Sequence, residues 1–257
     1  MIFDTHTHYD DPAYDSDRND LLSSFKENNV TGAICASAEY GSIPKIVELC
    51  KKYSFLYPTI GIHPSEVEEL DEEKWNRLEE YIKEINPVAI GEIGLDYHYD
   101  EPSKEIQRST FLRQLAWCDK YDLPVIIHSR DASEETFEIM KQYGPKKKGV
   151  IHCYSGSAEM AVEYVKMGYY IGVGGVVTFK NGRKLKETVQ AIGLENILLE
   201  TDCPYLAPTP HRGERNSSLF LPYVVEEIAL LKNISKEEVE DVTIKNAEKL
   251  FGIKIGQ

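Results

Sequence analysis

Short apolar runs alternate with longer amphipathic stretches along almost the whole chain. Most positions within each apolar run are hydrophobic, without the strict alternation of a strand that has one face in water. Continuous apolar runs of this kind are typical of strands that are buried on both faces of a parallel sheet. We predict eight strands, within the segments MIFDTH, GAICAS, FLYPTIGIHP, PVAIGEIG, LPVIIHS, GVIHCYSG, YYIGVGG and NILLETD.

Each predicted strand precedes a stretch whose hydrophobic residues have helical spacing. Ser133 is a candidate N-cap for one of these helices, and Gly168 is expected to end another. Eight strand–helix units in about 250 residues predict an α/β fold, a single-domain TIM (β/α)8 barrel over residues 1–257. A doubly wound open sheet is the second possibility. The predicted helices cover residues 20–29, 42–53, 71–85, 104–121, 133–143, 158–167, 184–191, 221–231 and 236–251.

The composition is that of an ordinary globular protein, since 42% of the 257 residues are hydrophobic. No apolar run is long enough for a membrane helix, and the N-terminal residues lack the basic and apolar regions of a signal peptide. The five cysteines are scattered and include no C-x-x-C pair. We therefore expect reduced thiols, a cytoplasmic location and no membrane partner. We also expect a monomer.

Acidic side chains outnumber basic ones by 43 to 29, which gives a net charge of −14. Because the neutralisation of phosphates drives generic nucleic-acid binding, a protein this acidic is a poor generic binder. The net charge still allows a local basic or metal-containing cleft.

Histidine and acidic residues recur at the C-terminal ends of the predicted strands. In a TIM barrel these ends converge on one mouth, where active sites lie. A single histidine at a strand end is more often a structural residue than a ligand. Matching residues at six strand ends would, without an ion, crowd buried imidazoles and carboxylates together at a high cost in free energy. The residues are His6 and His8 on the first strand, His63 on the third, Glu92 on the fourth, His128 on the fifth, His152 on the sixth and Asp202 on the eighth.

The spacing of these residues predicts two metal ions. His6 and His8 are two residues apart, so both imidazoles point to the same side of an extended chain and can reach one ion. His128 and His152 end neighbouring strands and can hold a second ion. Glu92 has two oxygens and can bridge both ions. Imidazole and carboxylate ligands suit zinc, manganese, cobalt, nickel or iron.

Asp202 can complete the first of these sites, and no thiolate is needed. Cys153 and Cys203 each follow a predicted ligand directly, so strand geometry is expected to direct both side chains away from the ions. Because Asp202 would touch the ion, it is also our candidate to accept the proton of an attacking water. In the alternative, Asp202 is only a ligand and Glu200, on the same face of the strand, orients the site.

Seven motifs along residues 2–251 resemble, in order, the signatures of the TatD family of metal-dependent deoxyribonucleases: FDTHTHYDD, GIHP, GEIGLDYH, VIIHSRDA, IHCYSG, ETDCPYLAP and RGERN. This family lies within the amidohydrolase superfamily. The resemblance implies a TIM barrel, a substrate phosphate near His63 and two divalent metal ions, with zinc, manganese, magnesium, nickel and cobalt as candidates. The implied ligands are His6, His8, Glu92 and Asp202 for one ion, and Glu92, His128 and His152 for the other.

Basic residues on the loops that follow the strands would meet the substrate phosphates. Arg130 and Arg215 are our candidates for substrate contacts, and His63 is expected to be a general acid or a phosphate contact. Further basic residues on the same face are Lys180, Arg183 and Arg212. By contrast, residues 146–148 precede the sixth strand and belong to the opposite face. Three aromatic residues are candidates for base stacking or for the core: Tyr97, Tyr154 and Phe179.

Three functions remain open at this point. The first is a divalent-metal-dependent hydrolase that cleaves phosphodiester bonds of DNA through a metal-activated water, with Asp202, Glu92 and His63 as catalytic residues; the resemblance implies a 3'-5' exonuclease. The second is an amidohydrolase-type deacylase or lactonase that uses the same two-metal site. The third is a non-catalytic barrel that binds partners. The basic loop residues favour the first, because a small neutral substrate would not need them.

Overall fold

Eight parallel strands follow one another around the sheet in the order of the sequence. The structure is a computed structural model and describes residues 1–68 and 70–256. Thr7 on the first strand forms a bridge with Cys203 beyond the last strand, which brings the two edges of the sheet together. The single-domain TIM (β/α)8 barrel is thereby confirmed. The strands are β1 (Ile2–Thr7), β2 (Val30–Cys35), β3 (Leu56–Ile60), β4 (Ala89–Asp96), β5 (Val125–Arg130), β6 (Gly149–Ile151), β7 (Tyr170–Val173) and β8 (Ile197–Leu199).

Helices follow the strands and form the outer layer of the barrel. Four of the nine described helices begin with a side-chain cap. In one of them, Ser103 accepts a hydrogen bond from the backbone of Ile106 and so satisfies a free helical N–H. Among the described residues, no helix is long and apolar enough to cross a membrane. The helices are α1 (Arg18–Ser23), α2 (Ile43–Lys52), α3 (Glu72–Ile85), α4 (Lys104–Tyr121), α5 (Ser133–Tyr143), α6 (Ala158–Lys166), α7 (Arg183–Ala191), α8 (Leu221–Lys232) and α9 (Lys236–Phe251).

Two local predictions about helices were wrong. Ser133 is the first residue of α5, and Ala132 takes the N-cap position without a side-chain hydrogen bond. The helix expected over residues 20–29 is shorter, because α1 ends at Ser23 and a separate 3-10 turn leads to a left-handed residue at Asn29. The prediction for Gly168 is confirmed, since its positive φ of 91° ends the turn after α6.

Hydrophobic side chains fill the barrel interior near the N-terminal ends of the strands. Seven strands contribute to one cluster, together with the last turns of α9. Residues from so many strands can meet only inside the barrel, so α9 covers this end of it. The polar residues therefore collect at the other end. The cluster consists of Phe3, Ile34, Ala89, Ile126, Val150, Tyr170, Leu198, Ala247, Leu250 and Phe251.

Candidate metal centre

Glu92 lies at the centre of the predicted ligand cluster. Its carboxylate is buried, with 3% of the residue exposed. One oxygen, Oε2, is 3.2 Å from Nε2 of His6 and 3.7 Å from Nε2 of His8. The other oxygen, Oε1, is 2.8 Å from Nδ1 of His128 and 3.7 Å from Nε2 of His152. The two oxygens thus face different sets of imidazoles, as a bridging carboxylate would require.

The position of Glu92 within its strand differs from the prediction. Glu92 was expected to end the fourth strand, but β4 continues to Asp96 and all eight of its residues are buried. A carboxylate in the middle of an apolar strand is costly unless it is paired. Burial raises the pKa of Glu92, but the charges of His6 and His152 and the hydrogen bond with His128 outweigh it and hold the pKa well below its usual value.

Asp202 brings a second carboxylate to the same cluster. Its Oδ1 lies 3.4 Å from Nε2 of His8, 3.6 Å from Nε2 of His152 and 3.9 Å from Nε2 of His6. Asp202 follows the end of β8 by three residues and has a left-handed backbone, with φ of 58°. Burial raises the pKa of Asp202, but the charge of His152 and the hydrogen bond with His8 outweigh this effect. The pKa therefore lies below its usual value, and the carboxylate is ionised.

The imidazoles crowd one another as well as the acids. The rings of His6 and His152 are stacked with centroids 3.5 Å apart, and Nε2 of His6 is 3.2 Å from Nε2 of His8. Burial lowers the pKa of His6, and the charge of His152 lowers it further. Nδ1 of His6 has no hydrogen-bond partner among the described residues. Nitrogen lone pairs and carboxylate oxygens that converge in this way are satisfied by cations, so the donor set fits divalent metal ions.

Candidate ligand groups can be drawn from this cluster by distance. In each group the ligand atoms lie within 4.8 Å of one another. His152 lies in a group with His6 and Asp202, and its Nε2 also faces the oxygen of Glu92 that His128 contacts. His128 lies in a group with His63 and Glu92. The groups are His6, His152 and Asp202; His6, His8 and Glu92; His63, Glu92 and His128; and His152, Cys153 and Glu200.

Two buried acids form hydrogen bonds with ring nitrogens of His152 and His128. Oε2 of Glu200 is 3.1 Å from Nδ1 of His152, and Glu200 is 1% exposed. This contact matches the orienting role considered for Glu200 as an alternative. Asp96, which sequence reasoning missed, places Oδ2 3.0 Å from Nε2 of His128. Asp96 lies four residues after Glu92 on the same strand. Residues at even spacing share one face of a strand, so this spacing could have predicted that Asp96 lies near the ligand cluster. Such partners fix the orientation of a metal-binding imidazole.

The two cysteines beside the ligands behave differently. The prediction for Cys153 was wrong, because β6 ends at Ile151 and Cys153 has a left-handed φ of 45°. Its thiol lies within 4.8 Å of ligand atoms of His152 and Glu200. Burial raises the pKa of the Cys153 thiol well above its usual value. Cys203 is fully buried in the hydrophobic cluster of Tyr9 and Tyr14, as expected of a side chain that points away.

His63 lies at the edge of the ligand cluster. Its Nε2 is 3.8 Å from Oε1 of Glu92, and its ring meets that of His128 edge-on with centroids 4.2 Å apart. Nδ1 of His63 accepts a hydrogen bond from the backbone N–H of Ser65, so Nε2 carries the proton of the neutral ring. Burial and the charge of His128 lower its pKa to about 3.

The predicted substrate residues have different surroundings. Arg130 is exposed at the end of β5, with its guanidinium 5.9 Å from the ring centroid of Tyr99. Arg215 instead forms a bidentate ion pair with Asp17 and lies over the ring of Tyr14. The structure therefore does not bring Arg215 together with the ligand cluster. Lys180, Arg183 and Arg212 are exposed on the same face as Arg130.

The candidate stacking residues belong mostly to the core. Tyr154 is 4% exposed and Phe179 is 6% exposed. Tyr97 is half-buried and donates its hydroxyl hydrogen bond to Glu135. The guanidinium of Arg212 covers the Phe179 ring, 3.6 Å from its centroid. The rings of Tyr154 and Phe179 are therefore not open to a base as they stand.

Comparisons with known proteins add a family and a set of relatives. The chain matches the family model described as TatD related DNase over residues 3–252. It is 41% identical over 254 residues to the uncharacterized metal-dependent hydrolase YabD of Bacillus subtilis, and the match covers 98% of this chain and 100% of that protein. It is 32% identical to the uncharacterized metal-dependent hydrolase YcfH of Escherichia coli K12, covering 98% and 96%.

Solved structures agree with the sequence comparisons. The crystal structure of YjjV, a TatD homologue from Escherichia coli K12, superimposes with a TM-score of 0.94 at 30% identity and covers 98% of each chain. A TatD family hydrolase from Entamoeba histolytica superimposes with a TM-score of 0.88 at 25% identity and covers 97% of each chain.

Proposed function

The chain belongs to the TatD-related DNase family of metal-dependent hydrolases, and from this premise we propose that it hydrolyses phosphodiester bonds of DNA. The observation that carries the proposal is a pair of ionised carboxylates, the buried Glu92 and the half-buried Asp202, among convergent imidazoles at the barrel mouth. The exposed Arg130 on the same face supplies positive charge for a phosphate. We propose the 3'-5' exonucleolytic mode on the family resemblance alone.

Two divalent cations would be held by the six predicted ligands. Zinc, manganese, magnesium, nickel and cobalt are all candidates. When bound, such ions lower the pKa of a water and offset the charge that develops on a phosphate. The ligands are His6, His8, His128, His152, Glu92 and Asp202.

The protein's own residues then have distinct tasks. Asp202 is ionised and lies at the mouth, so it can accept the proton of the attacking water at its free carboxylate oxygen. His63 is neutral at physiological pH, which favours a hydrogen bond from its Nε2–H to a phosphate oxygen over a role as general acid. Glu200 and Asp96 keep His152 and His128 in place from behind. Arg215 would contact the substrate only after it leaves Asp17.

The test uses end-labelled single-stranded DNA with Mg²⁺ or Mn²⁺, in the presence and absence of a chelator. We expect the wild type to give a product ladder that chelation abolishes. Glu92→Ala and Asp202→Asn should each lose this activity. The matched control is Glu138→Ala, which removes an exposed carboxylate from α5 and should leave the ladder unchanged. A wild type that is inert on DNA but turns over an ester or amide would instead identify a deacylase or lactonase.

We further propose that residues 1–257 act as one hydrolase domain, as a monomer in the cytoplasm. All five cysteines are free, in keeping with a reducing compartment. Size-exclusion chromatography with light scattering tests the monomer, which has an expected mass of 29.3 kDa. A stable mass of twice that value would contradict it.

A further inference from the structure

The seam between β8 and β1 carries three of the predicted metal ligands, His6, His8 and Asp202. Every other pair of neighbouring strands is joined by a ladder of paired residues. At the seam, the described backbone contacts are few: one bridge, at Thr7 and Cys203, and two hydrogen bonds. The backbone N–H of Asp202 donates to His6 over 3.1 Å, and that of His8 donates to Cys203 over 2.9 Å.

Asp4 supplies further connections across this seam through its side chain. Its Oδ1 accepts hydrogen bonds from the backbone N–H of Thr201 at 3.0 Å and of His6 at 3.3 Å. Its Oδ2 accepts from the hydroxyls of Thr201 at 2.7 Å and Ser218 at 2.6 Å. The carboxylate is fully buried. One side chain thus joins β1, the segment that carries Asp202 and the segment that precedes α8.

The segment before α8 is itself held against the same strand ends. Asn216 donates from Nδ2 to the backbone oxygen of Thr201 at 3.0 Å and of Tyr205 at 2.7 Å. The hydroxyl of Ser218 is also 2.8 Å from that of Tyr9. This packing fixes the far end of the Asp4 network, so Asp4 cannot shift without moving the neighbours of Asp202.

Asp202 needs such support because its backbone is in the left-handed region, with φ of 58°. A non-glycine residue holds this conformation only when its surroundings impose it. Thr201, immediately before it, is bound by Asp4 through both its backbone and its hydroxyl. Cys203, immediately after it, is bound by the backbone of His8.

We propose that Asp4 is a positioning residue of the metal centre, which sets the placement of Asp202 relative to His6 and His8 by joining their segments across the seam. Asp4 touches neither the ions nor the substrate in this role. The inference rests on the metal centre and not on the proposed substrate, so a failure to cleave DNA would leave its test intact.

The test measures the affinity of the metal-free full-length protein for Mn²⁺ and Co²⁺ by titration calorimetry, well below the unfolding temperature of each variant. Of the two ions, we compare the one that the wild type binds more tightly. We expect Asp4→Ala to bind that ion at least about 10-fold more weakly than the wild type, because the affinity of a metal site depends on the residues that hold its ligands in position. Asp4→Asn keeps the oxygen that binds the two backbone N–H groups, so it should recover part of this loss.

The matched control is Asn246→Ala. The Asn246 side chain is also buried and donates to two backbone oxygens, of Leu194 and Ile197, but it joins α9 to the start of β8, far along the strand from the ligands. Asn246→Ala should lower the unfolding temperature and leave metal affinity unchanged. If Asp4→Ala fails to fold, Ser218→Ala takes its place, with an expected loss of about 3-fold. Unchanged affinity in the Asp4 or Ser218 variant, or an equal loss in Asn246→Ala, would overturn the proposal.

Discussion

Single histidines in the centre have very different charges because of their neighbours. Burial lowers the pKa of His152, but the charges of Glu200, Asp202 and Glu92 outweigh it and raise the pKa to about 10. His63 is half-buried and has no acid as close to its ring as Glu200 is to that of His152, and burial together with the charge of His128 lowers its pKa to about 3. The position of an imidazole at a strand end was predictable from the sequence, whereas its charge depends on acids from distant strands.

The contact between Glu200 and His152 leads to a prediction about metal affinity. Glu200→Gln keeps the size of the side chain but removes the charge that orients the imidazole. We expect metal affinity to fall about 10- to 100-fold. Titration of the metal-free protein with Co²⁺, followed by absorption, measures the change. The control Glu138→Gln alters an exposed carboxylate and should bind as the wild type does. Equal metal affinity in the Glu200 and Glu138 variants would show that Glu200 does not orient His152 for metal binding.

The raised pKa values of His8 and His152 predict coupling between metal and protons. These values are about 9 and about 10, so both rings are protonated at pH 7.5 in the metal-free protein. A ligand imidazole must be neutral, so binding at pH 7.5 must release about two protons. Affinity must therefore rise with pH until both pKa values, about 9 and about 10, are passed. Calorimetry at pH 7.5 in buffers of different ionisation enthalpy measures the release. Binding with no proton release would contradict the ligand assignment.

Strands and helices were predicted with unequal success for identifiable reasons. The bounds of α4 and α9 agree with the prediction. Each helix begins after a serine N-cap, and its amphipathic pattern ends where the helix ends. Hydrophobic runs show which residues are buried but not where a ladder ends. For this reason Glu92 was placed at the end of β4 rather than within it. Likewise, β6 ends before His152, so the turn that directs Cys153 inward could not be predicted.

Gly172, the glycine of β7, leaves room for the buried carboxylate of Glu200. A Cβ atom on Gly172 would lie 2.3 Å from Oε2 of Glu200. We expect Gly172→Ala to displace this carboxylate from His152, with a loss of about 1–3 kcal/mol in the free energy of unfolding and weaker metal binding. Urea denaturation and metal titration check the two effects. The control is Gly41→Ala, where no atom lies within 4 Å of the added Cβ; the same losses there would refute the steric explanation.

At the scale of the molecule, the barrel was predictable and the closure of its seam was not. Eight apolar runs with intervening helices specify the order of the strands, because consecutive parallel strands need helical crossovers. The Asp4 network joins residues about 200 positions apart, such as Asp4 and Thr201. Nothing in the local pattern around Asp4 indicates that partner. Contacts of this kind require the closed fold before they can be recognised.

The charge of the whole molecule leads to a prediction about DNA. With a net charge of −14, the protein should gain little from long-range attraction, so only a few basic residues at the mouth should neutralise phosphates. A plot of log KM for single-stranded DNA against log salt concentration should therefore have a slope of about 1 to 2, since each neutralised phosphate on a single strand contributes about 0.7.

Arg130 accounts for part of that slope. Arg130→Ala should raise KM and reduce the slope by about 0.7, with a smaller effect on kcat, because the lost contact is made equally in the bound and the reacting substrate. Lys146→Gln removes an exposed cation before β6, on the opposite face of the barrel, and should change neither quantity. If the Lys146 variant loses as much slope as the Arg130 variant, DNA binds by general attraction rather than at the mouth.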